Sequence, residues 1–261
     1  MNHPAVLLLD FDGTVCVGDG PVRAYAEAVV TAVLDAATDD THRAAGRSFS
    51  EDLRAGLEAY LDAAAAGAGA SAAGQVPVDG YAAVAALAAG HATPAQLDAA
   101  YAASREALAV SGLEVAAPAG LVALLDELGP QVERVLVTNA PARGVTETLA
   151  RLGLADVIDD VVTEAAKPAG WDRILPAYLA GRPPQAVLAV GDVWRNDVEP
   201  PLAAGCATAL IDRFGHHAGP ANLTARTFEE LYPGIHAWAA DPDGFVAAHP
   251  ARVDAIPSPQ H

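Results

Sequence analysis

The chain has 261 residues, 52% of them apolar, and a formal charge of −18 at pH 7. Such acidity argues against a nucleic-acid partner, which is gripped through its phosphates by clustered Lys and Arg, but leaves an anionic small molecule open, since one local site can oppose the global field. No run approaches about 18 apolar residues, as a membrane span requires, the start MNHPAVLLLDFDG has no basic signal-peptide region, and Cys16 and Cys206 make no metal or redox motif, so a soluble, cytoplasmic protein with two reduced thiols is expected.

AVLLLD at 5–10 is a short apolar run that stops at an acidic, Gly-containing turn, the form of a strand buried on both faces of a parallel sheet. Residues 18–116 differ: they are Ala-rich and helical in pattern, and Thr93-Pro94 offers a helix cap followed by proline at the first helical position. Within them AAAAGAGASAAG at 63–74 is small and flexible in character. Nearly 100 residues is too long for one strand-to-strand crossover, so the block reads as an inserted helical domain.

Strand-like runs then recur at RVLVTN (134–139), VIDDVV (157–162), AVLAVGD (186–192) and ATALID (207–212). Between them lie helical patterns at GLVALLDELG (120–129), RGVTETLARLG (143–153) and DRILPAYLAG (172–181), the first two ending at Gly129 and Gly153. In VEPPLAAG, after Asp197, two prolines stand where a helix should begin, so that helix is expected to start late. The fold class is α/β, a doubly wound parallel Rossmann-like sheet with an inserted α-helical cap domain. The expected boundaries are 1–17 with 117–240 for the sheet domain, 18–116 for the helical one, and an irregular tail at 241–261.

In such a sheet, ligands bind beyond the carboxyl ends of the strands, where strand order reverses. The polar residues there are Asp10, Asp12, Gly13 and Thr14 after the first strand, Thr138 and Asn139 after the second, Lys167 after the third, and Asp192 and Asp197 after the fourth. Asp10 and Asp12 at i and i+2 would repel, and Mg²⁺ resolves this because it takes hard oxygen ligands. Asp10 and Asp192 supply carboxylates and Asp12 a backbone carbonyl, which frees the Asp12 side chain for proton transfer. A carboxylate is a competent nucleophile toward phosphorus. Lys167, the sole lysine against fourteen arginines, suits a compact cation beside the phosphoryl oxygens. Thr138 and Asn139 can donate to the remaining oxygens, with Gly13 and Thr14 also expected to line the substrate.

DFDGTV, VLVTNA, KP and GDVWRND, in this order, resemble the four signature motifs of the haloacid dehalogenase-like (HAD) hydrolase superfamily. Residues 5–16 and 117–212 resemble its Rossmannoid core and 18–116 its helical cap. The resemblance implies a Mg²⁺-dependent phosphatase acting on a small phosphorylated metabolite. Asp10 would be nucleophile and metal ligand, Asp12 general acid and then base. Thr138 would hold the phosphoryl group, Lys167 would neutralise charge, Asp192 would bind the metal, and Asp197 would bind it or orient its waters. Lys167 would be retained because a planar guanidinium would crowd a point-charge site.

Other readings on this scaffold are a phosphomutase, a 2-haloacid dehalogenase and a non-catalytic binding protein. A mutase needs a second phosphate site, for which the helical block offers Arg23, Arg43, Arg47, Arg54 and Arg105. Asp12 argues against the dehalogenase, which lacks the second acidic residue of the first motif. Trp194 reads as packing, His216-His217 as a solvated pair, and Asp19 as a turn residue. Oligomeric state cannot be read from the sequence.

Overall fold

The protein was analysed as a computed structural model that describes residues 5–65 and 76–252. The Ala- and Gly-rich run from 66 to 75 and the end from 253 lie outside the described residues, as does the side chain of Arg43. The chain divides into two compact units, residues 1–17 with 116–261, and residues 18–115. At the boundary Val17 and Ala116 exchange two backbone hydrogen bonds of 2.9 Å, tying the outgoing and returning chains together.

The inserted unit consists of α1 (Gly20–Asp35), α2 (Asp40–Ala65), α3 (Gly80–Leu87) and α4 (Pro94–Ser111). Phe49, Leu53, Leu57 and Leu61 recur every fourth residue on α2, and Val22, Tyr25, Ala26, Val29 and Val30 make the matching stripe on α1. That spacing lines one face of a helix, and each fully buried large side chain contributes about 1.5–3 kcal/mol. The start of α4 is a complete capping box, in which Thr93 accepts from the Gln96 N–H and Gln96 accepts from the Thr93 N–H.

The other unit is built on a six-stranded, wholly parallel sheet. Its strands are β1 (Ala5–Leu9), β2 (Val132–Val137), β3 (Asp160–Val162), β4 (Val187–Gly191), β5 (Ala207–Ile211) and β6 (Leu223–Ala225), in the order β3-β2-β1-β4-β5-β6. The helices of this unit are α5 (Leu121–Leu128), α6 (Ala142–Arg151), α7 (Trp171–Leu179), α8 (Glu199–Ala203), α9 (Tyr232–Ala240) and α10 (Pro242–Ala248). Val6, Leu8, Val135, Val137, Val187 and Ala189 share one sheet face and pack against Trp171, Ile174, Leu175 and Tyr178 of α7. The alternate residues Leu7, Leu9, Leu136, Leu188 and Val190 are equally buried. Burial on both faces is why these strands read as unbroken apolar runs. Strand order turns back around β1, whose neighbours are β2 and β4, so the ends of all three strands lie side by side.

Three details depart from the sequence expectation. The segment after 240 is not irregular throughout: Asp241 accepts the Gly244 N–H, Pro242 opens α10, and Phe245 is buried. Strand β3 starts at Asp160 rather than 157; just before it the Asp159 side chain accepts three hydrogen bonds from Arg134. Strand β6 and helix α9 were not anticipated; three residues are too few to show a period, and α9 is short. As expected of that proline pair, Pro200 and Pro201 lie in the first turn of α8, where their missing N–H groups need no partner. The residues before them form a separate wide turn, Trp194–Val198, closed when the Glu199 N–H reaches back to the Trp194 carbonyl.

Candidate active site

Asp10 follows β1 directly, and its own N–H is held by the Val190 carbonyl of β4. The chain then folds into a tight loop, with Thr14 and Cys16 N–H groups both donating to Phe11 and the Gly13 N–H donating to Cys16. Gly13 has φ +77°, and a Cβ there would run into the Asp192 carboxylate. A glycine is therefore required twice over, for the backbone conformation and for the neighbour. Gly191, ahead of Asp192, plays a matching part, because a Cβ would strike the Asp197 side chain.

Asp10, Asp192 and Asp197 each present a carboxylate oxygen, and these lie within 4.8 Å of one another. The ammonium of Lys167 donates to Asp10 Oδ1 at 2.7 Å and to Asp197 Oδ1 at 2.6 Å, with only 2% of the lysine side chain exposed. Burial opposes charge on the lysine, but the two facing carboxylates outweigh it and hold the ammonium above its usual pKa. Asp197 is pushed up to about 7, chiefly by burial and also by Asp10, against the pull of Lys167. Its second oxygen accepts the Val193 N–H at 3.0 Å.

Lys167 is aimed by its neighbours. The Asn139 side chain accepts the Lys167 N–H at 2.6 Å and donates to the Lys167 carbonyl at 3.0 Å. The loop before it is bound to the end of β2 by Ala165 N–H to the Thr138 carbonyl and Glu164 N–H to the Ala140 carbonyl. The peptide that follows, Lys167–Pro168, is cis. Thr138 is almost wholly buried and its hydroxyl oxygen accepts the Ala140 N–H, which leaves the hydroxyl proton to donate.

All nine expected site residues lie in this unit, at or just beyond the strand ends, but three serve differently from the sequence expectation. Asn139 latches the backbone of Lys167 with its carbonyl oxygen and one N–H of its amide. Thr14 is fully buried, with its hydroxyl toward Asp10 Oδ2 at 3.4 Å, so it orients the carboxylate and does not line a substrate surface. Gly13 spends its N–H on Cys16 and makes room for Asp192. Asp12 is half-buried, and its carboxylate stands outside the three-membered acidic group.

One contributor went unnoticed in the sequence. Trp171 donates its indole N–H to the Asn196 carbonyl at 2.5 Å, and the only signal was a tryptophan four residues past the lone lysine. Trp194 packs against Val198, Leu210 and Ala221 and donates to the Pro220 carbonyl. His216 and His217 give their backbone N–H groups to the two oxygens of buried Asp212. Among the described residues no helix is long and apolar enough to cross a membrane.

Structural neighbours at low identity share the fold. A haloacid dehalogenase-like family hydrolase from Xanthomonas campestris is 17% identical, with 92% of this chain and 94% of that one covered and a TM-score of 0.52. YfnB from Bacillus subtilis, solved bound to magnesium, is 15% identical over 90% and 100%, with a TM-score of 0.53. A HAD phosphatase from Thermococcus onnurineus is 18% identical over 89% and 97%, with a TM-score of 0.53. No curated protein matches the sequence. The model of the haloacid dehalogenase-like hydrolases matches residues 4–205, a span that holds every acidic residue of the cluster and Lys167. The chain belongs to the haloacid dehalogenase-like hydrolase family, and it is a hydrolase.

Proposed function

We propose that this hydrolase cleaves a small-molecule phosphomonoester through an aspartyl-phosphate on Asp10, with a divalent cation, Mg²⁺, as its cofactor. The carrying observation is the Lys167 ammonium shared by Asp10 and Asp197 beside Asp192.

The donor set fits such an ion: three carboxylates against one ammonium leave a formal charge of −2, and every oxygen is a hard ligand. Asp10, Asp192 and Asp197 would hold the metal, with the Asp12 carbonyl as a further donor. When bound, the metal draws charge from the phosphoryl oxygens.

The chain's own groups do the rest. A carboxylate oxygen of Asp10 forms a bond to phosphorus as the ester oxygen leaves, and Asp12 gives that oxygen its proton. Asp12, now a carboxylate, takes a proton from water, whose oxygen attacks phosphorus and releases Asp10. Thr138 donates its hydroxyl to a phosphoryl oxygen, and Lys167 offsets the added charge.

The inserted helical unit is proposed as the cap that selects the leaving group. A chain of this acidity suits a small metabolite better than a nucleic acid. The setting proposed with this reading is cytoplasmic, where the buried Cys16 and Cys206 would remain thiols.

The test is hydrolysis of p-nitrophenyl phosphate with and without Mg²⁺. The wild type is expected to turn over only with the metal, and Asp10→Asn not at all. Equal rates for the two proteins would overturn the reading.

A further inference from the structure

Asp197 reaches the acidic group from the wide turn 194–198, and a turn of this kind leaves backbone groups that a regular helix would pair internally. The Asn196 carbonyl has no such partner in either geometry, because residues 200 and 201 are prolines without an N–H, and it is taken by the Trp171 indole N–H. The Trp171 ring is 4% exposed and packed with Ile174 and Leu175 under the sheet, so it cannot swing away without opening the core. Trp171 opens α7, four residues beyond Lys167, at the end of a hydrogen-bonded loop. There Gly170 N–H bonds the Ala166 carbonyl at 2.8 Å, and Trp171 N–H bonds the Pro168 carbonyl at 3.2 Å. A Cβ at Gly170 would collide with the Ala165 carbonyl, so that loop has one close-packed course.

Segment 167–171 therefore holds turn 196–197 at two adjacent points. The Lys167 ammonium binds the Asp197 carboxylate at 2.6 Å, and the Trp171 indole binds the carbonyl one residue earlier. The first attachment is ionic and is shared with Asp10. The second carries no charge and fixes only position. From the opposite side Trp194 anchors the same turn to Pro220, with its indole where a Gly219 Cβ would lie.

We infer that Trp171 is a positioning residue of the metal site. Its indole N–H fixes the Asn196 carbonyl and so keeps Asp197 at the spacing from Asp10 and Asp192 at which all three can share one divalent ion. This rests on the metal-dependent hydrolase reading, and it adds a residue that touches neither metal nor substrate. A tryptophan that only filled the core would need its ring and not its N–H.

Trp171→Phe separates the two roles, because it keeps an aromatic ring in the core and removes the donor. By calorimetric titration with Mg²⁺ the dissociation constant is expected to rise about ten-fold, and the Mg²⁺ needed for half-maximal hydrolysis to rise in parallel. Unchanged Mg²⁺ affinity, whatever the melting temperature does, would overturn the inference.

A second measurement needs only wild-type protein, with its Trp171 indole signal identified by its absence from the Phe variant. Adding Mg²⁺ to ¹⁵N-labelled protein should shift that signal; a signal indifferent to Mg²⁺, or a wild type that binds no Mg²⁺, would also overturn the inference. Failure of the phosphomonoester reading looks different: the wild type would bind Mg²⁺, lose affinity with Trp171→Phe, and cleave no phosphate ester.

Discussion

In the helical unit Arg54 meets Glu27 through two bonds of 2.6 Å, and Arg23 meets Glu58 at 2.8 and 2.9 Å, all four side chains about half exposed. In the sheet unit Lys167 meets Asp10 and Asp197 at 2.7 and 2.6 Å, almost wholly out of solvent. The distances are alike and the consequences are not. Water and salt screen the arginine pairs, which spend side-chain entropy to hold a geometry worth little. Around Lys167 there is little water to take over, so removing one partner leaves the others buried and uncompensated. Bond length does not distinguish a surface ornament from a reactive centre here; burial does.

That contrast can be broken in graded steps. The largest effect is expected from Lys167→Met. It should lower kcat by about 10³-fold, as loss of a charge-stabilising donor does in a closed site. In EDTA it should also cost about 3 kcal/mol in urea unfolding, because Asp10 and Asp197 then face each other. Wild-type stability in that variant would mean that the cluster is open to solvent.

Gly13→Ala comes next. The left-handed φ and the clash with Asp192 together should cost about 1–3 kcal/mol. Weakened Mg²⁺ binding should accompany the loss, measured by thermal melting and metal titration on one preparation.

Asp159 tests an intermediate case, since its side chain is 42% exposed but its partner Arg134 is largely buried. The hydrogen bonds from Arg134 hold the Asp159 carboxyl below the usual range. A depressed carboxylate contributes stability above its unfolded pKa of roughly 4, and loses it as pH falls toward the folded value. Asp159→Asn should therefore cost at most about 1 kcal/mol at pH 7 after screening, and less as the pH is lowered below about 4. A loss independent of pH would assign the effect to backbone hydrogen bonds alone.

The smallest effect belongs to the exposed pairs. Arg54→Gln should leave thermal unfolding unchanged, and added NaCl should not separate the variant from wild type. A clear loss at low salt would place the helical unit's pairs closer to the buried kind than their exposure implies.

Much of the sheet unit was legible because burial on both faces writes itself as uninterrupted apolar runs, and β1, β2, β4 and β5 were all found this way. Short elements were not: β6 offers three residues and α10 seven, too few for a period. Site residues were legible as types and as positions at strand ends. Their individual tasks were less so. Asn139 and Thr14 carry side chains that suit a phosphate, yet the structure spends one on the Lys167 backbone and turns the other to Asp10. Nothing along the chain states which of several possible acceptors a hydroxyl or amide will face.

By itself the sequence determined the class of the fold, the inserted helical block, and the gathering of carboxylates with a single ammonium at one sheet edge. Those follow from periodicity and from where polar residues interrupt apolar runs, which are local properties. Only the tertiary structure decided that Lys167 binds both Asp10 and Asp197, that Gly13 and Gly191 make room for the acids beside them, and that Trp171 ties down the turn carrying Asp197. Apart from the local fit of Gly191 to Asp197, these contacts join segments brought together by strand order. Their energy depends on how completely water is excluded there, a quantity set by packing in three dimensions.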